Sequence, residues 1–242
     1  MQLENNQPLT QDAAPVPDYS VPWTILDTWI AVGLLVVLNI GFLVFAAIFR
    51  WEDLFQNAGI VLAEMLYLVP VILILAWRRA SWKRLGFSKF DSLTMGLGCG
   101  LLVAGYIFIL LHNLILMVLG VDTQGEEILK LFSELESPVW FFVTGVVAAP
   151  LVEEIFFRGF LFQGFRQRYG CVAAMLISAF IFAAAHLDLV AFIPTFLLGA
   201  VFAYIYHRSN SVWPGIILHF LVNMFAMCAA LAAVQLQDYI PT

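Results

Sequence analysis

An all-α, polytopic bundle of transmembrane helices is the fold this sequence predicts, and three observations predict it. Of 242 residues, 62% are hydrophobic and only 12% charged, against roughly a quarter charged in a soluble domain. Mean hydropathy is +0.93, so too little polar surface exists to cover a water-facing exterior, and the exterior faces lipid. Apolar runs near the length of a spanning helix, about 20 residues, recur at 28–49, 54–77, 92–120, 138–163, 171–187, 190–207 and 212–236.

Taken in order, residues 1–22 are polar, proline-bearing and free of Lys and Arg. They lack the basic start and apolar run of a secretory signal and read as a disordered tail. Residues 23–242 read as a single membrane domain. The first two helices are plain apolar runs, and the second ends on the basic stretch Arg78-Arg79-Ala80-Ser81-Trp82-Lys83-Arg84. The third carries Gly96, Gly98, Gly100 and Gly105, which allow it to tilt, pack closely or break. An acidic stretch, 122–136, follows, with Asp122, Glu126, Glu127, Glu134 and Glu136. The fourth helix contains Pro150, which removes a backbone donor, and then Glu153-Glu154-Ile155-Phe156-Phe157-Arg158. A polar turn at Asp188 separates the short fifth and sixth helices, and the seventh closes the bundle.

Basic residues in short loops set orientation. With Arg78–Arg84 and Lys89 in the cytoplasm, helix alternation brings Arg166, Arg168 and Arg208 to the same side. Only Arg50 and Lys130 fall opposite, together with the acidic stretch. The N-terminus is then inside and the C-terminus outside, in a cytoplasmic membrane. A net charge of −6 and no basic stripe argue against a nucleic-acid partner. Cys99, Cys171 and Cys228 are far apart in apolar segments and read as packing residues, not a disulfide framework. Nothing in the sequence fixes an oligomeric state.

Ionisable side chains at membrane depth are costly, and their presence marks function by default. Glu154 and Arg158 are four apart with the acid first, the favourable order for an ion pair. Glu153 is turned about 100° away and stays free to act on a water or substrate. His219 and Asn223 also share a face, and imidazole and amide donors together suit a developing oxyanion. His186 lies four residues after Phe182, whose ring is placed to pack on the imidazole. Glu64, His112 and Asn113 read as interhelical hydrogen-bond partners, and His207 as interfacial. By helical rise, His186 lies about 22 Å along its helix, deeper than Glu153 and His219 at about 12–15 Å.

The order E-E-x-x-x-R at Glu153–Arg158, F-x-x-x-H at Phe182–His186 and H-x-x-x-N at His219–Asn223 resembles the CPBP intramembrane proteases. That family includes type 2 CAAX-prenyl proteases and Abi bacteriocin-processing and self-immunity proteins. The resemblance covers about 138–226. It implies that Glu153 is the acid/base, supported by Glu154 and Arg158. His186 then helps bind or activate water, and His219 with Asn223 stabilises the oxyanion. Members often carry an eighth helix, whereas seven are counted here.

The expected reaction is hydrolysis of a peptide bond in a membrane-associated substrate, with no cofactor required. The metal-dependent alternative is a zinc ion on Glu153, His186 and His219, a two-histidine, one-carboxylate set. A non-proteolytic scaffold, regulator or self-immunity protein on the same fold is the alternative function. A proton-coupled transporter would need inverted repeats or matching broken helices, and neither is evident.

Overall fold

The computed structural model describes residues 19–49, 59–121 and 138–237. The acidic stretch 122–136, Arg50, Lys130 and residues 1–18 lie outside them. The described residues form a helical membrane bundle without strands. Its helices are α1 (Ile25–Phe49), α2 (Ile60–Met65), α3 (Leu68–Trp77), α4 (Ser92–Val118), α5 (Pro138–Val143), α6 (Ala149–Glu153), α7 (Gln163–Tyr169), α8 (Cys171–Ala185), α9 (Phe192–Ser209) and α10 (Trp213–Gln237). Two π-helical stretches, π1 (Thr144–Ala148) and π2 (Glu154–Phe162), join α5 to α6 and α6 to α7.

Seven helical runs therefore stand where seven apolar stretches occur, with local differences. The break falls in the second run, not the third. Pro70 has no N–H for the carbonyl of Leu66 and its ring crowds that turn, so α2 and α3 part at Leu66–Tyr67. The glycine-rich α4 is continuous, and only Gly98 is closely packed, against Leu218 of α10. The fourth run extends beyond residue 163 to Tyr169, where Gly170 at φ 80° ends it. Among the described residues, only α1, α4 and Trp213–Ala232 of α10 are long and apolar enough to cross a bilayer by length and composition. At about 1.5 Å per residue, α8 reaches only about 22 Å, short of a 30 Å hydrocarbon core.

One end of the bundle is tied by polar contacts. Thr24 caps α1, its N–H donating to Asp27 Oδ2 at 2.6 Å and its Oγ1 accepting from Asp27 N–H, a reciprocal cap. Arg78, after α3, grips the same Asp27 through Nε at 2.8 Å and Nη2 at 2.9 Å. Gln163 donates to the Arg84 carbonyl at 2.8 Å, and Ser211 to the Ser88 carbonyl at 2.7 Å. Gly86, at φ 94°, has no room for a Cβ, which would sit 2.6 Å from the Tyr206 hydroxyl. These links bring Arg78–Arg84, Lys89, Arg166, Arg168 and Arg208 to one end of the bundle. Arg166 is not a free loop cation, however. It is buried, bonded to Asn210 at 3.0 Å, with the Tyr19 ring 4.0 Å from its guanidinium. Residues 19–22, counted above with the polar tail, are thus docked on the bundle.

The helix 138–169 runs through the middle. Every residue from Val152 to Arg166 is buried, and Trp23 stacks on Phe160 at 4.8 Å. In lipid, such packing and internal hydrogen bonds hold helices together. Large apolar residues on α1 and α4 are exposed instead, which is the lipid-facing surface.

Candidate active site

Pro150 sets the local geometry of the central helix. In π1 the N–H of Ala149 donates to the Thr144 carbonyl, the i+5 bond of a π-turn. Pro150 then supplies no N–H at all. The chain resumes α6 and delivers Glu153 at its end and Glu154 at the start of π2.

Glu154 is the member of the acid pair that is ion-paired to Arg158. Its Oε1 accepts from Arg158 Nη1 at 2.7 Å, the contact expected from their spacing. Both side chains are fully buried. Removing one partner of such a pair would strand the other in a low-dielectric setting. Arg158 also donates to the Gly199 carbonyl at 3.1 Å. The Phe182 ring lies 4.3 Å from its guanidinium carbon and the Phe202 ring 5.3 Å, close enough for cation–π attraction.

His219 joins the two acids. Its Nδ1 lies 3.3 Å from Glu154 Oε1, and its Nε2 lies 3.8 Å from Glu153 Oε2. The ring stacks on Phe202 at 4.9 Å and meets Phe182 edge-on at 5.8 Å. A carboxylate only accepts, so Nδ1 carries a proton and Nε2 is left facing Glu153. Glu153 is buried and its Oε2 has no hydrogen-bond partner among the described residues. Glu154 Oε2 is likewise without one, but only Glu154 has a close ion pair to an arginine, through Oε1.

His186 caps the end of α8 and donates from Nδ1 to the Phe182 carbonyl at 2.8 Å. In the neutral ring this leaves Nε2 unprotonated. Phe182 packs on it at 4.8 Å, as its position one turn earlier suggested. The same Phe182 touches His219, so the depth mismatch counted from helix ends does not separate the two histidines. Arg158 is within electrostatic reach of both His186 and Glu153. Asn223, one turn beyond His219, donates from Nδ2 to the Gly145 carbonyl at 2.7 Å. One of its two N–H groups is thus already engaged.

Among the described residues, no three His, Cys, Asp or Glu side chains are grouped as a metal ion requires. Glu153, His186 and His219 do not make that set, and no step below is routed through a metal.

Several contributors carried no clear sequence signal. Gly215 lies against Glu154, and a Cβ there would sit 2.6 Å from Oε2. Gly199 makes room for Phe182 and Ala179 while lending its carbonyl to Arg158. Glu64 has a buried oxygen without a partner and is within electrostatic reach of Glu153, as is Tyr67. An isolated acid in an apolar run is the signal that marked Glu153, and it applied equally to Glu64. His112 pairs with its neighbour Asn113 at 3.4 Å on α4, and His207 lies by Arg166 at the basic end.

Residues 135–225 match the family model described as Type II CAAX prenyl endopeptidase Rce1-like. This match supports the CPBP/CAAX protease family, to which the three motifs pointed. The chain is also 27% identical over 191 residues to "Putative membrane peptidase YdiL" of Bacillus subtilis (strain 168), covering 76% of this chain and 77% of that one. No solved structure matches the chain. The family match spans all three motifs and supports protease activity within the membrane, on a peptide or protein substrate.

Proposed function

We propose that this CPBP-family chain is a glutamate-dependent endopeptidase that cleaves a membrane-associated peptide or protein from a cavity opening toward the cytoplasm. The observation that carries the reading is the contrast between neighbours. Among the described residues each acid keeps one oxygen without a hydrogen-bond partner, but Glu154 Oε1 is held by Arg158 at 2.7 Å and His219 at 3.3 Å, whereas the ion pair of Glu153 is the longer 3.8 Å approach to His219 Nε2.

In the proposed reaction, water donates one hydrogen bond to the unprotonated Nε2 of His186 and gives its other proton to Glu153 as its oxygen attacks the scissile carbonyl. The C–O bond forms and the carbonyl π electrons move to its oxygen. That oxyanion accepts from the second N–H of Asn223, and His219, beside Glu153, is the second group proposed to stabilise it. The C–N bond then breaks, and Glu153 returns its proton to the leaving nitrogen. Arg158 and Glu154 act through His219, fixing its ring. No protein nucleophile and no metal enter these steps.

Comparing membrane peptidomes from cells carrying the parent chain and Glu153→Gln tests the reading and finds the substrate. Specific uncleaved proteins should accumulate with the variant. Identical peptidomes from equally expressed chains would leave the non-proteolytic scaffold or self-immunity reading in its place.

A further inference from the structure

The Gly145 carbonyl occupies an unusual position. In an α-helix it would accept from Ala149 N–H, and in a π-turn from residue 150. The first donor is diverted to Thr144 and the second does not exist, because residue 150 is proline. A carbonyl without a donor is costly at membrane depth, where no bulk water replaces it. Asn223 of α10 supplies the missing hydrogen bond at 2.7 Å. Gly145 also lets α10 come close, since a Cβ there would meet the Met227 side chain at 3.3 Å.

From these contacts we infer that Pro150 and Gly145 are positioning residues. The proline leaves the Gly145 carbonyl open, and that carbonyl pins the Asn223 amide so that its second N–H faces the reacting carbonyl. This rests on the proposed peptidase reaction. The carbonyl can only accept, so it fixes which end of the amide is nitrogen. It also fixes α10 to the central helix at a second point, beside the His219–Glu154 contact. A proline in a helix interior, otherwise a defect, thereby has a role in registering two motifs that are about seventy residues apart.

The test uses variants that hand the N–H back. Pro150→Ala, and Pro150→Val as the version that better fills the buried proline's volume, let residue 150 or a relaxed α-turn satisfy the helix internally. Both should keep or raise Tm, because helix interiors favour Ala and Val over Pro. Both should nevertheless lower kcat about tenfold with KM nearly unchanged, since misplacing one transition-state donor affects kcat. The assay is cleavage of a quenched fluorescent peptide drawn from a protein that accumulates in Glu153→Gln membranes. Asn223→Ala should cost less in the Pro150→Val background than in the parent chain, because the two changes remove one device. Parental kcat in folded Pro150→Ala and Pro150→Val, beside a strong loss in Asn223→Ala, would overturn this positioning role and leave the oxyanion role of Asn223 standing. Additive losses would overturn it equally. Failure of the underlying reaction would show separately, as full activity in Glu153→Gln.

Discussion

His219 and Glu154 meet across two helices, with Nδ1 of the imidazole 3.3 Å from the carboxylate oxygen that also accepts from Arg158 at 2.7 Å. One oxygen thus ties the E-E-x-x-x-R and H-x-x-x-N motifs together. The second, Oε2, is pressed against Gly215. Glu154 is thereby held in place, and the proposed reaction gives the proton transfer to its neighbour Glu153.

Glu154→Gln should therefore act on stability first. Arg158 would keep its charge in a fully buried position without its carboxylate, at a cost of about 3–5 kcal/mol. Thermal unfolding in detergent should show a large fall in Tm and a lower folded yield. An unchanged Tm would mean that other partners compensate the guanidinium.

Gly215→Ala tests the other side of that carboxylate. Its methyl would sit 2.6 Å from Glu154 Oε2, so the acid must shift and drag His219 with it. Overpacking of this kind costs about 1–3 kcal/mol. Activity should fall well beyond what that loss of folded protein explains, whereas parental specific activity would show that His219 is oriented by something else.

Orientation can be read by labelling. Lys83→Cys should react with an impermeant thiol reagent only after the membrane is opened, and Gln124→Cys should react in intact cells. The basic residues gathered at one end of the bundle motivate this expectation. The reverse pattern would overturn the proposed opening of the site toward the cytoplasm.

Much of this architecture was legible in the chain because lipid imposes strong rules. Spanning length, loop charge and the rarity of buried ions exposed the seven runs and the six motif residues. The Glu154–Arg158 pair and the Phe182–His186 contact follow from helical periodicity alone. What stayed hidden depends on backbone that departs from it. The π-turns around Pro150 made the link from Asn223 to Gly145, and no side-chain spacing encodes that link. Gly199 and Gly215 act by lacking a side chain, which is silent until the opposing helix is known. Glu64 reads in the sequence as an interhelical hydrogen-bond partner, because its proximity to Glu153 is tertiary and arises where Pro70 breaks the second run.

Metal dependence has its own readout. Protein shown by mass spectrometry to be free of metal after chelation should keep its activity. Loss on chelation with recovery on adding zinc, and stoichiometric zinc in the untreated protein, would contradict the metal-free reaction and return Glu153, His186 and His219 to the role of ligands.

The most direct test is Glu153→Gln in purified, folded protein, assayed on a peptide substrate alongside its melting temperature. The substitution preserves volume and removes only the ability to take and return a proton. The account predicts a Tm close to that of the parent chain and a loss of cleavage of at least about a hundredfold. Full cleavage by folded Glu153→Gln protein would contradict it.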